Sequence, residues 1–304
     1  MTSTKKKAPL EHLNVEPVTP DRVVVMGASG FVGGAIVRAL RAINADILAI
    51  SRAEVDLQSV GAAEHLASLL RPEDAFVAAS AIAPCRDTGM LKDNIALVET
   101  LTDALRRQPV SHVLNISSDA IYADSLEPLT ETSCAQPGSL HGIMHLTREL
   151  VLGEAVGETP CASLRPTLIY GADDPHNGYG PNRFRRLNAA GDDIVLFGEG
   201  EERRDHVYVE DVANLAVRIL QHRSRGALNA ATGMVISFRE AAELVSALFP
   251  EPSTITGSPR SGPMPHGGYR PFDPSATTRA FPDFRYTPPA EGFIAVHAAA
   301  LEVT

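Results

Sequence analysis

Short apolar runs alternate with segments of helical periodicity from about residue 20 to about residue 170. The runs typical of buried strands are VVVM (23–26), DILAIS (46–51), DAFVAASAIA (74–83), SHVLNISSDAIYA (111–123) and CASLRPTLIYG (161–171). Apolar positions recur at helical spacing over 35–43, 89–107 and 141–156. This alternation predicts an α/β fold of the Rossmann type, a doubly wound parallel sheet whose site residues lie at the carboxyl ends of the strands.

The pattern changes at about residue 172, beyond which glycine, proline and arginine become frequent. We therefore predict a dinucleotide-binding domain over 21–171 and a smaller substrate lobe over 172–304, some segments of which return to the first domain. Residues 1–20 are polar and contain three prolines, so we expect a loose leader there.

Composition narrows the class of protein. The net charge of −10 argues against nucleic acid or an anionic membrane as the main partner. The three cysteines are scattered and odd in number, which favours reduced thiols. No apolar run approaches the length of a membrane span, and no signal peptide is evident. These features predict a cytoplasmic enzyme subunit.

A glycine-rich turn joins the first strand to the first helix in VVVMGASGFVGG (23–34). Gly27, Gly30 and Gly33 suit, in that order, a tight turn, a close approach of pyrophosphate to the backbone and a close helix–strand contact. Three glycines alone also occur in ordinary loops, but here strand, turn and helix follow in order, and the helix N-terminus offers N–H donors for phosphate. The predicted contacts of a dinucleotide here are Gly27, Ser29, Gly30, Phe31, Val32 and Gly33.

The second strand ends at Ser51 and Arg52 rather than at an acidic residue. A carboxylate at this point bonds the ribose 2′-OH of NAD, whereas an arginine accommodates the 2′-phosphate of NADP. The sequence thus favours NADP(H), with NAD(H) still possible and a solvated surface arginine as the alternative role of Arg52. Asp56 and Leu57 follow at a spacing suited to the adenine end.

Five segments together resemble the extended short-chain dehydrogenase/reductases of the sugar-nucleotide epimerase/dehydratase group. They are MGASGFVGG (26–34), NISSDAIYA (115–123), LRPTLIYG (164–171), GEGEERRDHVYVEDVANL (198–215) and YRPFDPSATTRAF (269–281). The resemblance implies an NAD(P)-dependent oxidoreductase or epimerase that acts on a nucleotide-diphosphate sugar. It also implies a homodimer formed through the helices at 89–107 and 141–156. Candidates for part of its apolar seam are Met90, Leu97, Leu101, Met144 and Leu150, with ordinary packing on the sheet as their alternative role. The resemblance assigns Ser80, Ala81 and Asn94 to the cofactor.

The same resemblance exposes a departure at the reacting centre. The family uses a Ser or Thr, here Ser118, and a tyrosine followed four residues later by a lysine. This chain has His141 and His145 at those two positions, and its few lysines, Lys5, Lys6, Lys7 and Lys92, include none four residues after a tyrosine. Dehydratases of the group carry an Asp-Glu pair, but here Asp119 is followed by alanine.

Two histidines four residues apart share one face of a helix, so both rings should face the same pocket. Imidazole exchanges protons near neutral pH, so His141 is a candidate general acid/base and His145 a candidate partner of the cofactor ribose. Two other interpretations stay open. The pair is also compatible with a metal site, although no third ligand is evident. Alternatively, the pocket has lost its redox activity, and the protein is a cofactor- or sugar-nucleotide-binding sensor or scaffold, or a non-redox isomerase.

For the substrate, the resemblance assigns the diphosphate to arginines, whose planar fork suits phosphate. Arg204 and Arg270 match family arginines, while Asn182 and Arg183 begin the nucleotide-binding segment. The resemblance also makes Asp211 a structural residue that caps the following helix.

Overall fold

The computed structural model describes residues 9–175 and 177–302. The strands are β1 Val23–Met26, β2 Ile47–Ile50, β3 Ala75–Ala78, β4 His112–Ile116, β5 Cys161–Pro166, β6 Leu168–Tyr170, β7 Ile194–Phe197, β8 Arg203–Tyr208, β9 Gly226–Ala230, β10 Val235–Ser237, β11 Ile255–Ser258 and β12 Tyr269–Arg270. The helices are α1 Phe31–Ala42, α2 Ala62–Leu69, α3 Thr88–Arg107, α4 Leu140–Ala155, α5 Pro181–Ala190, α6 Val209–Gln221, α7 Phe238–Ser246, α8 Ser275–Ala280 and α9 Pro289–Glu302.

A central parallel sheet has the order β2-β1-β3-β4-β5-β9. Val23 and Val25 face a core shared with α1 and α6, whereas Val24 and Met26 face a second core shared with α2 and α3. The fully apolar strand β1 is therefore buried on both faces, as its sequence predicts. The predicted Rossmann-type doubly wound α/β fold is confirmed.

The sheet order reverses between β1 and β3, because the chain runs outward from β1 to β2 and then returns to β3. A crevice opens at such a point outside the carboxyl ends of the strands. The predicted helices at 89–107 and 141–156 correspond to α3 and α4, and Asp87 and Ser139 cap their N-termini through side-chain acceptors. The topology thus places the turn after β1 and the start of α4 beside the same crevice.

The predicted strand at 161–171 is two strands. It leaves the central sheet after Pro166, and β6 pairs with β8 in a separate sheet that also contains β10 and β12. Thr167 marks the crossing, because its N–H donates to Ala230 O (3.1 Å) and its Oγ1 donates to Asp205 Oδ1 (2.9 Å). The predicted strands at 74–83 and 111–123 were also too long, and they end at Ala78 and Ile116.

The segment expected to be a loose leader is held to the domain from Pro9 onward. Glu11 exchanges backbone hydrogen bonds with Arg225 and forms an ion pair with it at 2.9 Å. Further on, Leu13 and Val18 donate to carbonyls of His222 and Gln221. The expectation was wrong for residues 9–18, because these polar residues find partners at the C-terminal end of α6; residues 1–8 lie outside the described part.

Two further expectations are corrected by packing. Asp211 lies inside the first turn of α6 and accepts from Thr287 N (2.7 Å) and Oγ1 (3.0 Å), so it anchors a distant loop rather than capping the helix. Apolar residues of α3 and α4 considered for a dimer seam, Leu97, Leu101 and Met144, are buried within the subunit. In the part of the chain that the structure describes, no helix combines the length and apolar character that a membrane crossing requires.

Candidate active site

A cavity of about 990 Å³ lies at the carboxyl ends of the central strands and extends to β6 and β8. Predicted residues of the glycine turn, the reacting centre and the substrate lobe line it, but none from the end of β2: Gly30, Phe31, Val32, Gly33, Ala81, Ser118, Asp119, His141, His145, Asn182 and Arg204. Other predicted residues, namely Gly27, Ser29, Ser51, Arg52, Asp56, Leu57, Ser80, Asn94, Arg183 and Arg270, are not part of its wall.

The glycine turn has the geometry of a phosphate cradle. Gly27 has φ +95°, and a Cβ there would lie 2.7 Å from Ser80 N. A Cβ on Gly33 would lie 2.1 Å from Gly27 O, so α1 approaches the turn as closely as it does only because this residue is glycine. Helix α1 begins after Gly30 without a side-chain cap, which leaves its first N–H groups available to an anion. These features fit the pyrophosphate of a dinucleotide.

The end of β2 carries charges of both signs. Arg52 is 75% exposed in its side chain and reaches Asp56 and Gln58 at 3.4 Å each. Glu54, which sequence reasoning missed, accepts from Ser51 N at 2.8 Å and from Ser51 Oγ. These hydrogen bonds hold the pKa of Glu54 below its ordinary value. A 2′-phosphate here would therefore meet an exposed guanidinium that contacts Asp56 and Gln58, and the nearby carboxylate of Glu54.

Two residues assigned to the cofactor have structural partners instead. Asn94 is buried, and its amide accepts from Ile82 N and donates to Ile82 O, both at 2.9 Å. It therefore fixes the loop after β3 rather than reaching the cavity, which corrects its assignment. Leu57 is buried in the core beside α2 and α3, again without reaching the cavity wall.

His141 and His145 both reach the cavity from one face of α4, as their spacing predicts. The backbone N–H of Cys85 donates to His141 Nδ1 at 3.4 Å. His145 is buried, and its Nδ1 has no hydrogen-bond partner in the described residues. Burial, and then the nearby charges of His141 and Arg148, hold the pKa of His145 well below its ordinary value, so this ring is neutral at pH 7.

A buried cation beneath the two histidines escaped the sequence analysis. Arg148 donates to Asn115 Oδ1 (2.8 Å), to Ala78 O (2.7 Å) and to Ser80 O. Desolvation lowers its pKa to about 10, so it stays charged at neutral pH. The available signal was its position three residues after His145, which places it on the same helix face.

Ser118 and Asp119 form the polar wall opposite the glycine turn. Ser118 Oγ accepts from Ala120 N (3.1 Å) and donates to Asp119 Oδ1 (3.3 Å). Asp119 Oδ2 in turn accepts from Arg270 Nε at 3.0 Å. The serine is thus oriented by a carboxylate that a buried arginine holds in place.

Arg270 was expected to contact the substrate, but its side chain is only 2% exposed. Its guanidinium donates to Asp119 O (2.8 Å) and Asp124 Oδ1 (3.0 Å), and Asp124 also bonds His266 Nδ1. The substrate assignment is therefore corrected: Arg270 orders the wall from behind. Arg183 is exposed and is not part of the cavity wall, so its role toward the substrate stays a prediction.

The far end of the cavity is formed by the substrate lobe. Asn182 is buried and joins Gly171 N (3.2 Å) to Asp174 Oδ2 (2.6 Å). Arg204 reaches the cavity with its Nε on Glu202 Oε1 at 2.7 Å. His206 and His266 also line the cavity, and sequence reasoning singled out neither.

Within the described residues, the fold brings no third metal ligand to His141 and His145. In residues 9–175 and 177–302, no group of three or more His, Cys, Asp or Glu side chains is arranged to hold a metal ion. His141 and His145 contact one another edge to face, with ring centroids 4.6 Å apart. Around them the described structure offers backbone groups and arginine rather than a third ligand.

Comparisons with known proteins bear on this site. The chain is 27% identical over 277 residues to a dTDP-4-dehydro-6-deoxy-D-allose reductase of Streptomyces bikiniensis, with 78% of this chain and 84% of that protein covered. The solved structure of MoeE5 in complex with UDP-glucose and NAD has a TM-score of 0.79 at 21% identity, covering 93% of this chain and 100% of the other. A GDP-L-fucose synthetase from Naegleria fowleri bound to NADP has a TM-score of 0.81 at 18% identity, covering 95% and 97%.

The two solved structures show a shared fold. The family is shown by a separate match, in which residues 23–231 correspond to the NAD dependent epimerase/dehydratase family. This range runs from β1 to the residue after β9 and so contains the whole central sheet. As the five resembling segments predicted, the chain belongs to the NAD dependent epimerase/dehydratase family and is an enzyme of that family.

Proposed function

We propose that this protein is an NADP(H)- or NAD(H)-dependent oxidoreductase or epimerase that acts on a nucleoside-diphosphate sugar, with His141 in the proton-transfer position. One observation carries the proposal. A single cavity brings together an uncapped glycine turn, the Ser118 and His141 side chains, and the Arg204 guanidinium. These are the groups that dinucleotide binding, proton transfer at an alcohol or ketone, and diphosphate binding require.

The residues that would hold the cofactor fit a dinucleotide. Gly30 and Gly33 with the start of α1 suit the pyrophosphate, and Arg52 suits a 2′-phosphate. The unpartnered Nδ1 of buried His145 suits a ribose hydroxyl, because a buried polar atom without a partner costs free energy until it finds one. When bound, the nicotinamide supplies or accepts hydride.

His141 moves the proton at the reacting oxygen. Its Nδ1 accepts from Cys85 N–H, so the neutral ring carries its proton on Nε2. An Nε2–H donor polarises a ketone without first becoming charged. With a nicotinamide bound, Nε2–H would hydrogen-bond the reacting oxygen and give it the proton as negative charge develops there, and a solvent H⁺ would then restore the neutral ring.

The other polar groups position the substrate. Ser118 Oγ, whose proton points to Asp119, accepts from the hydroxyl of an alcohol substrate, and it donates to a ketone oxygen once this proton turns away from Asp119. Arg204 Nε is occupied by Glu202, which leaves the two terminal NH₂ groups of the guanidinium to the diphosphate. His145 is neutral, and the charged Arg148 nearby is not part of the cavity wall, so neither supplies the charge of a lysine in contact with the ligand.

One observation favours a second candidate function, a binding protein without catalysis. Neutral His145 lacks the fixed charge by which a lysine makes a neighbouring proton donor more acidic. A sensor or scaffold would keep the cofactor cradle and Arg204 and need no proton donor. A non-redox isomerase would keep the same groups.

We also propose a cytoplasmic homodimer. The three cysteines, Cys85, Cys134 and Cys161, are not joined to one another by disulfides, which suits a reducing compartment. Helices α3 and α4 pack against each other and present exposed apolar side chains, including Ile95, Ile143 and Leu150. An apolar patch of this kind on two adjacent helices suits a second copy of the subunit.

The test is spectroscopic. The purified protein is mixed with NADPH or NADH and with dTDP-4-dehydro-6-deoxy-D-allose, and with NADP⁺ or NAD⁺ and UDP-glucose or UDP-N-acetylglucosamine. Reduced-nicotinamide absorbance reports reduction or oxidation, and nuclear magnetic resonance of the sugar reports epimerisation. Turnover of a nucleotide sugar supports the enzyme. Cofactor and nucleotide-sugar binding with no change of either substance favours the binding protein.

A further inference from the structure

We propose that His206 is a specificity-determining residue. Its Nε2 accepts a hydrogen bond from an O–H or N–H group of the ligand, next to the phosphate held by Arg204. This proposal rests on the proposed nucleoside-diphosphate site. His206 lines the cavity from β8. No sequence motif singled out His206 as a residue of the site.

The tautomer of His206 follows from the hydrogen bond that its ring makes to the described residues. Its Nδ1 lies 3.2 Å from the carbonyl oxygen of Arg204. A carbonyl only accepts, so Nδ1 carries the hydrogen and donates it. In the neutral ring the other nitrogen, Nε2, then presents a lone pair and no proton, which makes it an acceptor.

The ring stays neutral at physiological pH. His206 is 1% exposed, and desolvation lowers its pKa to about 4, with the charge of Arg204 acting in the same direction. The hydrogen bond to the Arg204 carbonyl opposes this shift without overcoming it. A ligand that reaches His206 therefore meets an uncharged acceptor, not a cation.

Nε2 has no hydrogen-bond partner among the described residues. The ring is fixed by its Nδ1 bond and by an edge contact with Phe238, whose centroid lies 5.6 Å away at 86°. A buried acceptor left unpaired is rare and unfavourable, and the residue that carries it lines the cavity, so we infer that a donor on the occupant reaches Nε2 when the ligand binds.

Arg204 defines what that occupant carries nearby. Residues 204 and 206 are two apart on β8 and so face the same side of the strand, about 7 Å apart along it. Arg204 has its Nε on Glu202, and no other hydrogen bond of its guanidinium is found in the described residues. The ligand therefore combines an anion with a hydrogen-bond donor about one strand repeat away. In a nucleoside diphosphate, a ribose hydroxyl or a base N–H meets this description.

The experiment measures the affinity of UDP by calorimetry for the wild type, His206→Phe and His206→Gln. Phenylalanine keeps a ring and removes the acceptor, whereas glutamine retains an acceptor oxygen at the end of its side chain. We expect His206→Phe to weaken UDP binding about tenfold, the effect of one hydrogen bond, and His206→Gln to stay within about threefold of the wild type. Thermal unfolding of both variants checks that they fold.

Three analogues identify the donor: 2′-deoxy-UDP, 3′-deoxy-UDP and N3-methyl-UDP. The analogue that lacks the donor should bind the wild type about tenfold more weakly than UDP does, yet bind His206→Phe as well as UDP does. A folded His206→Phe variant that binds UDP like the wild type overturns the proposal, as does an equal loss for every analogue in both proteins.

Failure of the proposed function has a different signature. In that case the wild type binds none of UDP, dTDP and GDP, or Arg204→Met leaves their affinities unchanged. Binding that depends on Arg204 but not on His206 keeps the nucleoside-diphosphate site and removes only the role of His206.

Discussion

The rings of His141 and His145 lie perpendicular, at 89°, with their centroids 4.6 Å apart. The two are not equivalent. His145 is buried and neutral, whereas His141 is only half-buried and its Nδ1 accepts from Cys85 N–H. The pair therefore combines a partly exposed imidazole with a buried, neutral one, and this difference leads to separate predictions for each.

Replacing His141 by alanine should lower turnover about 10²–10⁴-fold while the affinity for cofactor changes little, because one proton-transfer group is lost. His141→Tyr should not restore turnover, since no lysine is present to lower the pKa of the tyrosine. His145→Ala should instead weaken cofactor binding. Steady-state kinetics and cofactor titration separate the two effects, with surface His65→Ala as the control. Wild-type turnover in His141→Ala would transfer the proton role to Asp119 or another group.

The end of β2 should set the choice of cofactor. We expect NADP(H) to bind more tightly than NAD(H). Arg52→Ala should lower the ratio of the two affinities about tenfold, since a charge-assisted contact is lost. Glu54→Gln should increase the preference, because a carboxylate beside the 2′-phosphate is removed. Calorimetry with both cofactors is the measurement, and Arg41→Ala on the exposed face of α1 is the control. Equal affinities in the wild type would contradict this assignment.

Stability should fall as the solution becomes acidic, because His112 and His206 are buried and neutral. Burial lowers the pKa of each from 6.5 to about 4. The unfolded chain therefore binds more protons than the folded chain between these values, so the contribution is complete above pH 6.5 and is lost as the pH falls towards 4. Each group accounts for about 3 kcal/mol at the lower limit.

Urea denaturation at about pH 7.5 and about pH 4.5 measures this loss. His112→Phe should have a smaller pH dependence of the free energy of unfolding than the wild type, whatever its stability at neutral pH. His65→Gln, a change at an exposed position, should keep the wild-type slope. A His112→Phe profile parallel to that of the wild type would contradict the prediction.

Arg148 should be essential to the shape of the pocket. Arg148→Met leaves Asn115 Oδ1 and two backbone carbonyls without their donor, and should lower the free energy of unfolding by roughly 2–4 kcal/mol. Arg148→Lys keeps the charge but cannot reach three acceptors at once, so it should be intermediate. Denaturation and cofactor titration are the measurements. If the methionine variant were as stable as the wild type, the three bonds would contribute no net stability.

The proposed dimer should depend on the exposed apolar residues of α3 and α4. Leu150 is 60% exposed in the single subunit. Light scattering at micromolar concentration should give the mass of a dimer, and Leu150→Glu should give a monomer, because a charge would be buried without a partner. Leu126→Glu changes a residue that is 74% exposed and lies outside both helices, and it should leave the dimer intact. A monomeric wild type rules the interface out.

The sequence by itself determined the features that arise from neighbouring residues. The strand–glycine–helix order of β1 and α1 is local, and so is the i,i+4 spacing that places His141 and His145 on one face of α4. Ser118 and Asp119 follow β4 directly, so a parallel sheet brings them to the crevice. These residues were predicted and they line one cavity.

Only the tertiary structure decided the roles that depend on distant partners. Arg270 bonds Asp119, which lies 151 residues earlier in the chain. Its guanidinium therefore orders the cavity wall from behind and does not contact the substrate. Asn94, Arg148 and the residues after Pro9 likewise find acceptors and donors on other elements. The ring of His206 is buried and its Nδ1 is held by the carbonyl of Arg204, a contact that its position in the sequence did not indicate. Periodicity and motif spacing carry no information on such contacts, since burial and hydrogen-bond pairing are set by packing between elements.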